Sequence, residues 1–272
     1  MESSAYFNTI AFLLTTLFYA LAMKPSLKLD TIEDKDINKY LEYKSNKFMY
    51  LGAYFILVVL VQFSVNSSII TSNCGGSVKE NFGAAGMLTF IPWILIFGVI
   101  ILVLIVFPGL KSAFSDVIGY YVVANKANVI LTELLIDSRV ESKMGNANEE
   151  DKKDIQLAAD AIIKIIGNNA VLINKIYPEN FINYWNTLLP LIKPEQRNNR
   201  DLKSSLFDLV VTRDSVGEIM WYVYTGVLLT FLVGLKIASR GCNSTPETMA
   251  ENLQRFKQEQ TMDTASATQP SN

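Results

Sequence analysis

The stretch "PWILIFGVIILVLIVFPG", from Pro92 to Gly109, contains no charged residue. A helix rises about 1.5 Å per residue and the hydrocarbon layer is about 30 Å thick, so about 20 apolar residues are needed to cross it. Extended back to Met87, the stretch reaches that length. Pro92 is expected near the helix start, where a missing N–H is tolerated, and Pro108 at its end. The stretch therefore predicts a transmembrane helix.

Three other stretches are similarly apolar and long. The predicted transmembrane helices are residues 1–23, 48–66, 87–107 and 219–238. The first also resembles a signal peptide, because Ala20-Leu21-Ala22 is typical of a cleavage site. Since no lysine or arginine precedes it, we favour a retained anchor, and cleavage remains the alternative. The fold class predicted is an all-α membrane protein with about four transmembrane helices and a helical extramembrane domain between the third and fourth.

Residues that favour the membrane interface flank these stretches. Indole and phenol rings lie at the headgroup level, and a lysine near a helix end can extend its ammonium group to the surface. The predicted interface anchors are Trp93, Trp221, Tyr222 and Lys236. Ser215-Val216-Gly217-Glu218 is typical of a capping box and predicts that the last helix begins there.

Lysines predict the orientation, because loops rich in lysine and arginine stay in the cytosol. Six lysines lie within residues 24–47, so this Lys-rich loop and the helical domain of residues 108–218 are predicted to be cytosolic. The loop of residues 67–86 and the partly disordered tail of residues 239–272 are then outside. Cys74 and Cys242 both fall outside, where they could form a disulfide or remain two separate thiols. Sequons at Asn66 and Asn243 also fall there, although such triplets are common by chance.

The cytosolic segment has helical periodicity throughout. One stripe predicts a helix that lies along the membrane surface or packs against other helices: Phe114, Ile118, Tyr121, Asn125 and Val129. A second stripe follows the acidic first turn Glu149-Glu150-Asp151: Ile155, Ala159, Ile162 and Ile166. Tyr177, Tyr184 and Trp185 are candidate partner contacts, with packing in the core as the alternative.

The composition argues against catalysis. The chain has no histidine and only two cysteines among its 272 residues, so the commonest general base and a zinc site of the usual kind are both missing. No phosphate loop or nucleophile–base pair is present in the sequence. We therefore predict no catalytic, cofactor-binding or metal-binding residues, no cofactor, no small-molecule substrate and no enzymatic activity. The formal net charge of −2 gives no basic field for nucleic acid.

The block "FIPWILIFGVIILVLIVFPGLKSAFSDVIGYYVV", from Phe90 to Val123, resembles a known family of proteins. It combines Pro92-Trp93, Phe107-Pro108-Gly109 and Gly119-Tyr120, and it resembles the transmembrane minor capsid or inner-membrane proteins of large icosahedral DNA viruses, in the style of chlorella viruses. The resemblance implies a structural virion protein in the internal membrane that links the bilayer to the capsid shell. Its implied partners are lipid and other capsid or minor capsid proteins, and its implied location during assembly is a host endomembrane.

A channel or transporter subunit is the alternative function. Asn8 and Gln62 are polar residues within predicted spans, and they suit helix–helix contacts as well as a transport pathway. A membrane-bound enzyme is a third hypothesis, and the sequence offers it no catalytic constellation.

Overall fold

A computed structural model describes residues 2–33, 37–75, 77–135 and 169–239, with five further positions at 250, 253, 254, 257 and 258. Of these described residues, 91% are helical and none forms a strand. A single antiparallel bridge joins Leu135 to Ile192. The all-α prediction is therefore confirmed.

Helices follow one another along the described residues with short connections. In chain order they are α1 (Glu2–Phe18), α2 (Leu29–Glu33), α3 (Ile37–Cys74), α4 (Val78–Pro92), α5 (Val99–Val106), α6 (Ser112–Phe114), α7 (Tyr120–Leu134), α8 (Asn169–Lys175), α9 (Phe181–Leu188) and α10 (Arg200–Ser239). Wider π-helical turns occupy Tyr19–Met23, Trp93–Gly98 and Ser115–Gly119, and 3-10 turns occupy Pro108–Lys111, Leu189–Leu191 and Pro194–Gln196.

Four helical stretches of the described chain are long and apolar enough to cross a membrane. They are Tyr6–Met23, Ile37–Cys74, Val78–Val106 and Arg200–Ser239. The apolar part of each predicted span falls within one of them. The chain is therefore a membrane protein with an all-α fold.

Two of these helices are much longer than a bilayer requires. α3 has 38 residues and α10 has 40, which correspond to about 57 and 60 Å of helix, twice the thickness of the hydrocarbon layer. Consequently α3 begins at Ile37, inside the segment predicted as a Lys-rich loop. Apolar residues mark where lipid surrounds a helix, whereas its ends are set by capping.

The turn between α3 and α4 illustrates this difference. Residues 67–86 were predicted as a loop, but α3 ends only at Cys74 and α4 begins at Val78. Gly75 has φ of 71°, a left-handed conformation that glycine adopts without strain at a helix C-terminus. Its N–H donates to the carbonyl of Thr71 at 2.9 Å. The Ser77 hydroxyl caps α4, because it accepts from the N–H of Glu80 at 3.3 Å and donates to Oε1 of Glu80 at 2.8 Å.

The predicted start of the last helix is wrong. α10 runs without a break from Arg200 to Ser239, so Ser215 and Glu218 lie in its interior. The N-terminus is capped instead by Asn199, whose Oδ1 accepts from the N–H groups of Asp201 and Leu202, both at 3.1 Å. A capping-box sequence begins a helix only where the preceding backbone leaves the helical conformation.

Pro92 was also expected near a helix start, and this is wrong. The helix begins at Val78, so Pro92 lies fourteen residues further on, inside it. Proline removes a hydrogen-bond donor and crowds the preceding turn. The backbone accommodates it with the π-helical segment Trp93–Gly98, in which hydrogen bonds span one more residue than in an α-helix.

The chain divides into two compact units. Unit 1 comprises Met1–Ala22, Gly52–Ile101 and Val223–Asn272, and unit 2 comprises Met23–Leu51 and Leu102–Tyr222. Unit 1 contains a buried aromatic cluster in which the ring of Phe12 lies 5.4 Å from that of Trp93 and 5.8 Å from that of Phe97. These contacts pack α1 within unit 1, and retention of the first helix stays a prediction.

Unit 2 has its own hydrophobic core, built from several helices. Its largest buried members include Leu131, Leu172, Phe181, Trp185, Leu206 and Phe207. α7 packs one face on this core, through Val123, Ala127 and Leu131, and whether its other face lies along the membrane surface stays a prediction. The predicted stripe lies on the other face, where Tyr121 is 84% exposed and Val129 is also exposed.

Several predictions fall on residues outside the described ranges. They are the stripe Ile155, Ala159, Ile162 and Ile166 with its acidic first turn, Cys242, the sequon at Asn243 and the disordered end of the tail. These stay predictions.

Candidate functional site

Five charged side chains of unit 2 meet in one place, which we call the ion cluster: Lys24, Lys47, Lys111, Asp214 and Glu218. Lys111 Nζ donates to Oδ2 of Asp214 at 2.7 Å. Oε2 of Glu218 lies 3.4 Å from Nζ of Lys24 and 3.6 Å from Nζ of both Lys47 and Lys111. One carboxylate therefore faces three ammonium groups.

The ion cluster is largely removed from water. Glu218 is 2% exposed and Lys111 is 4% exposed. The hydroxyl of Tyr222 donates to Oε1 of Glu218 at 3.1 Å, so both oxygens of this carboxylate face a positive charge or a donor. Burying a carboxylate costs free energy unless it is paired and hydrogen-bonded in this way.

The positions of these residues in the sequence explain why they meet. Lys24 follows the first apolar stretch, Lys47 precedes the second, Lys111 follows the third and Glu218 precedes the fourth. These are the ends that the distribution of lysines assigns to one side of the membrane. Gly217 allows the close approach, because a Cβ at this position would lie 2.7 Å from Cβ of Ser115 and 2.9 Å from the carbonyl oxygen of Lys111.

Burial and neighbouring charges shift the pKa values of two of the lysines in opposite directions. Burial lowers the pKa of Lys24, because the attraction of Glu218 does not compensate for lost hydration and for repulsion by Lys47 and Lys111. Burial alone would also lower the pKa of Lys111, but the Asp214 and Glu218 carboxylates outweigh it, and the pKa of Lys111 is raised. The direct hydrogen bond to Asp214 accounts for part of this difference.

Arg213, next to Asp214 on α10, is fully buried. Its guanidinium group donates to the carbonyl oxygens of Ile173 and Ile176 and to Oδ1 of Asn174. A guanidinium group that donates to carbonyls at the C-terminal end of a helix, here α8, is favourable because these carbonyls have no partner within the helix. Arg213 thus ties α8 to α10 immediately beside the ion cluster.

Unit 1 contains a second polar feature, which we call the polar layer: Asn8, Thr9, Gln62, Asn66, Thr89 and Thr230. Nδ2 of Asn8 donates to Oδ1 of Asn66 at 2.8 Å, and Nδ2 of Asn66 donates to Oγ1 of Thr89 at 2.9 Å. Nε2 of Gln62 donates to the carbonyl oxygen of Asn8 at 3.3 Å. The hydroxyls of Thr9 and Thr230 share a bond of 3.0 Å. The layer thus links α1, α3, α4 and α10, as expected of polar residues between membrane helices.

The predicted interface anchors have different environments. Trp93 is fully buried against Phe12 and Phe97, so it packs between helices rather than facing headgroups. Tyr222 is buried and bonded to Glu218. Trp221 donates its indole N–H to the carbonyl of Leu110 at 2.9 Å. Lys236 is exposed, as an anchor requires.

The predicted partner contacts mostly belong to the core. Trp185 is 4% exposed and packs beside Phe181. Tyr184 is partly buried against the same core, and the guanidinium carbon of Arg213 lies 5.1 Å from the ring centre of Tyr177. These rings therefore stabilise unit 2, and their role in binding a partner stays a prediction.

Cys74 at the end of α3 is disulfide-bonded. Cys242 lies outside the described residues, so the predicted pairing stays a prediction. Asn66, the first residue of one sequon, is fully buried and its amide donates to Thr89. In the folded chain this amide is therefore inaccessible for glycosylation.

Metal-ligating side chains do not gather in the described part of the chain. No three histidine, cysteine, aspartate or glutamate residues within it are grouped so as to hold a metal ion. Comparison with protein-family models, curated proteins and solved structures found no match. The ion cluster and the polar layer are therefore interpreted from their own geometry.

Proposed function

We propose that this chain is a structural membrane protein of a virion with an internal bilayer, and that it links that bilayer to the capsid shell. The proposal combines the resemblance of residues 90–123 with the all-α membrane fold and the separately packed helices of unit 2. Its location would be the internal membrane of the particle, and a host endomembrane during assembly.

One observation carries the proposal. The block that bears the resemblance continues from an apolar helix into unit 2. Within it, Lys111 joins the ion cluster, a Cβ at Gly119 would lie 2.5 Å from the carbonyl oxygen of Arg213, and Val123 enters the core. A protein that links lipid to a protein lattice can act through many copies at once, so each single contact can be weak.

Cross-linking mass spectrometry on purified virus particles tests this proposal. Exposed lysines of unit 2, such as Lys126 and Lys175, should link to proteins of the capsid shell. Lys79, on the predicted opposite side of the membrane, is the matched control and should link to a different set of proteins. Absence of the chain from particles, or identical partners for all three lysines, would contradict the proposal.

A channel or transporter subunit is the second candidate, and the polar layer is the observation that favours it. Buried amides and hydroxyls across four membrane helices are the groups from which a polar pathway is built. Reconstitution into liposomes separates the two functions. An ion or solute flux that Asn66→Leu abolishes would favour transport. Liposomes that stay impermeable with the protein present would favour the structural role.

A further inference from the structure

The ion cluster carries more positive than negative charge. Lys24, Lys47 and Lys111 contribute three ammonium groups, and Asp214 and Glu218 contribute two carboxylates. With all five groups ionised, the ion cluster itself has one excess positive charge, and the carboxylate of Glu179 acts on Lys111 from outside the cluster. An unbalanced charge in a poorly hydrated site is unfavourable unless an anion joins it or a proton leaves.

The ammonium groups also lack acceptors. An ammonium group has three N–H donors, so the three lysines offer nine in total. Among the described residues they make one hydrogen bond, from Lys111 to Asp214. Nζ of Lys24 is buried and has no hydrogen-bond partner there, although the carboxylate of Glu218 lies 3.4 Å away. The ion cluster thus needs oxygen acceptors as well as negative charge.

The ion cluster also has an accessible side. The side chain of Lys47 is 27% exposed, whereas those of Lys111 and Glu218 are 5% and 3% exposed. Lys24 and Lys47 directly flank apolar stretches, so they lie where the chain enters and leaves lipid. Phosphate groups of lipids are concentrated at that level, and basic pockets between membrane helices bind them.

We propose that the ion cluster binds one phosphate group, which reaches Lys24 and Lys47 from the exposed side. A phosphate supplies the missing negative charge and several acceptor oxygens at once, and lysine is a common phosphate ligand. An anionic lipid headgroup and free phosphate share this chemistry, so the experiment separates them. The proposal does not depend on the virion assignment.

A series of three charge states of the full-length protein tests the site. The cluster is neutral in Lys47→Gln, has one excess positive charge in the natural chain and has two excess positive charges in Asp214→Asn. The asparagine keeps an oxygen that can accept from Lys111. Binding of phosphatidic acid is measured by native mass spectrometry in detergent, with phosphatidylcholine as the reference lipid and inorganic phosphate as a separate titration. Lys28→Gln, an exposed lysine outside the cluster, is the matched control.

Affinity for phosphatidic acid should fall about fivefold in Lys47→Gln and rise about fivefold in Asp214→Asn, since each basic charge contributes about 1 kcal/mol to binding anionic lipid. Lys28→Gln should bind as the natural chain does. If the affinities follow this order for phosphatidic acid but not for inorganic phosphate, the site binds lipid. If they also follow it for inorganic phosphate, the site binds the free ion. Equal affinities across the charge series would overturn the proposal.

A second measurement needs no variant and therefore does not depend on their folding. Acylation of lysines in the natural protein is followed by peptide mass spectrometry with and without phosphatidic acid. Phosphate binding should slow the labelling of Lys47 and leave Lys28 unchanged. Equal protection of both lysines, or of neither, would contradict a specific site.

Discussion

Nζ of Lys111 lies 2.7 Å from Oδ2 of Asp214, and the two side chains, 103 residues apart in the sequence, are almost completely buried. The bond joins the segment that follows the third apolar stretch to the helix that contains the fourth. Because both charges have been removed from water, neither is stable there without the other.

Replacement of Lys111 by methionine should lower the free energy of unfolding by about 3–5 kcal/mol, because it leaves the Asp214 carboxylate buried without its partner. The double variant Lys111→Met/Asp214→Leu should lose less than the two single variants together. Equilibrium unfolding in mild detergent measures all three. The pair between Arg200 and Asp30, at 2.6 Å and largely exposed, is the control, and Arg200→Gln should leave the melting temperature nearly unchanged.

Gly226 should not tolerate a side chain. A Cβ there would lie 2.0 Å from Cζ of Phe12, whose ring is held between Trp93 and Phe97. Gly226→Ala should therefore destabilise the protein by about 1–3 kcal/mol through overpacking. Gly234 on the same helix has no atom within 4 Å of such a Cβ, so Gly234→Ala should stabilise by about 0.5–1 kcal/mol. Thermal unfolding of the two variants in the same detergent compares them directly, and equal melting temperatures would refute the close packing.

Replacing Asn66 should lower the free energy of unfolding more than replacing its neighbours on α3. Its amide accepts from Asn8 and donates to Thr89, and hydrogen bonds between membrane helices contribute about 0.6 kcal/mol each on average. Asn66→Ala should thus cost about 1 kcal/mol, as measured by denaturant unfolding in mixed micelles. Ser64→Ala removes only a bond to the carbonyl of Leu60 in the same helix. If Ser64→Ala costs as much, the polar layer does not hold these helices together.

The pH dependence of stability should report the burial of Lys24. Its pKa is lowered from the ordinary value of 10.5, so between the lowered value and 10.5 the unfolded chain retains a proton that the folded chain has released. Stability therefore rises with pH across that window. The melting temperature of the natural protein, relative to that of Lys24→Met, should increase as the pH rises toward 10.5. A constant or decreasing difference would show that burial does not dominate at this lysine.

The fold class and the four spans could be predicted from the sequence because they depend on local apolarity. Helix ends depend on local backbone geometry, and Ser77 with Glu80 was a capping signal present in the sequence that the apolar pattern concealed. Pro92 was misplaced because a helix start had been inferred from the limits of the apolar stretch. The apparent capping box at Ser215 could be rejected only from the structure, because Ser215 lies in the interior of α10.

The ion cluster was not predicted, although its lysines and Glu218 lie near the ends of the predicted spans. Lysine counts were used to orient the chain, and that prediction needs only the side of the membrane on which each lysine lies. Pairing is a tertiary property, and Glu218 had been interpreted as part of a helix cap. The signal that could have found the cluster is the coincidence of a charged residue at the same end of each of the four apolar stretches.

The order of residues in the ion cluster has a consequence for synthesis of the protein. A ribosome makes Lys24, Lys47 and Lys111 first, and their carboxylate partners at positions 214 and 218 emerge about one hundred residues later. Until then the nascent chain holds three cations at the translocon with none of these counterions. The last apolar segment follows Glu218 directly, so its insertion coincides with the arrival of both carboxylates. A chain truncated before this point would keep the three lysines at the bilayer surface with neither carboxylate of the cluster.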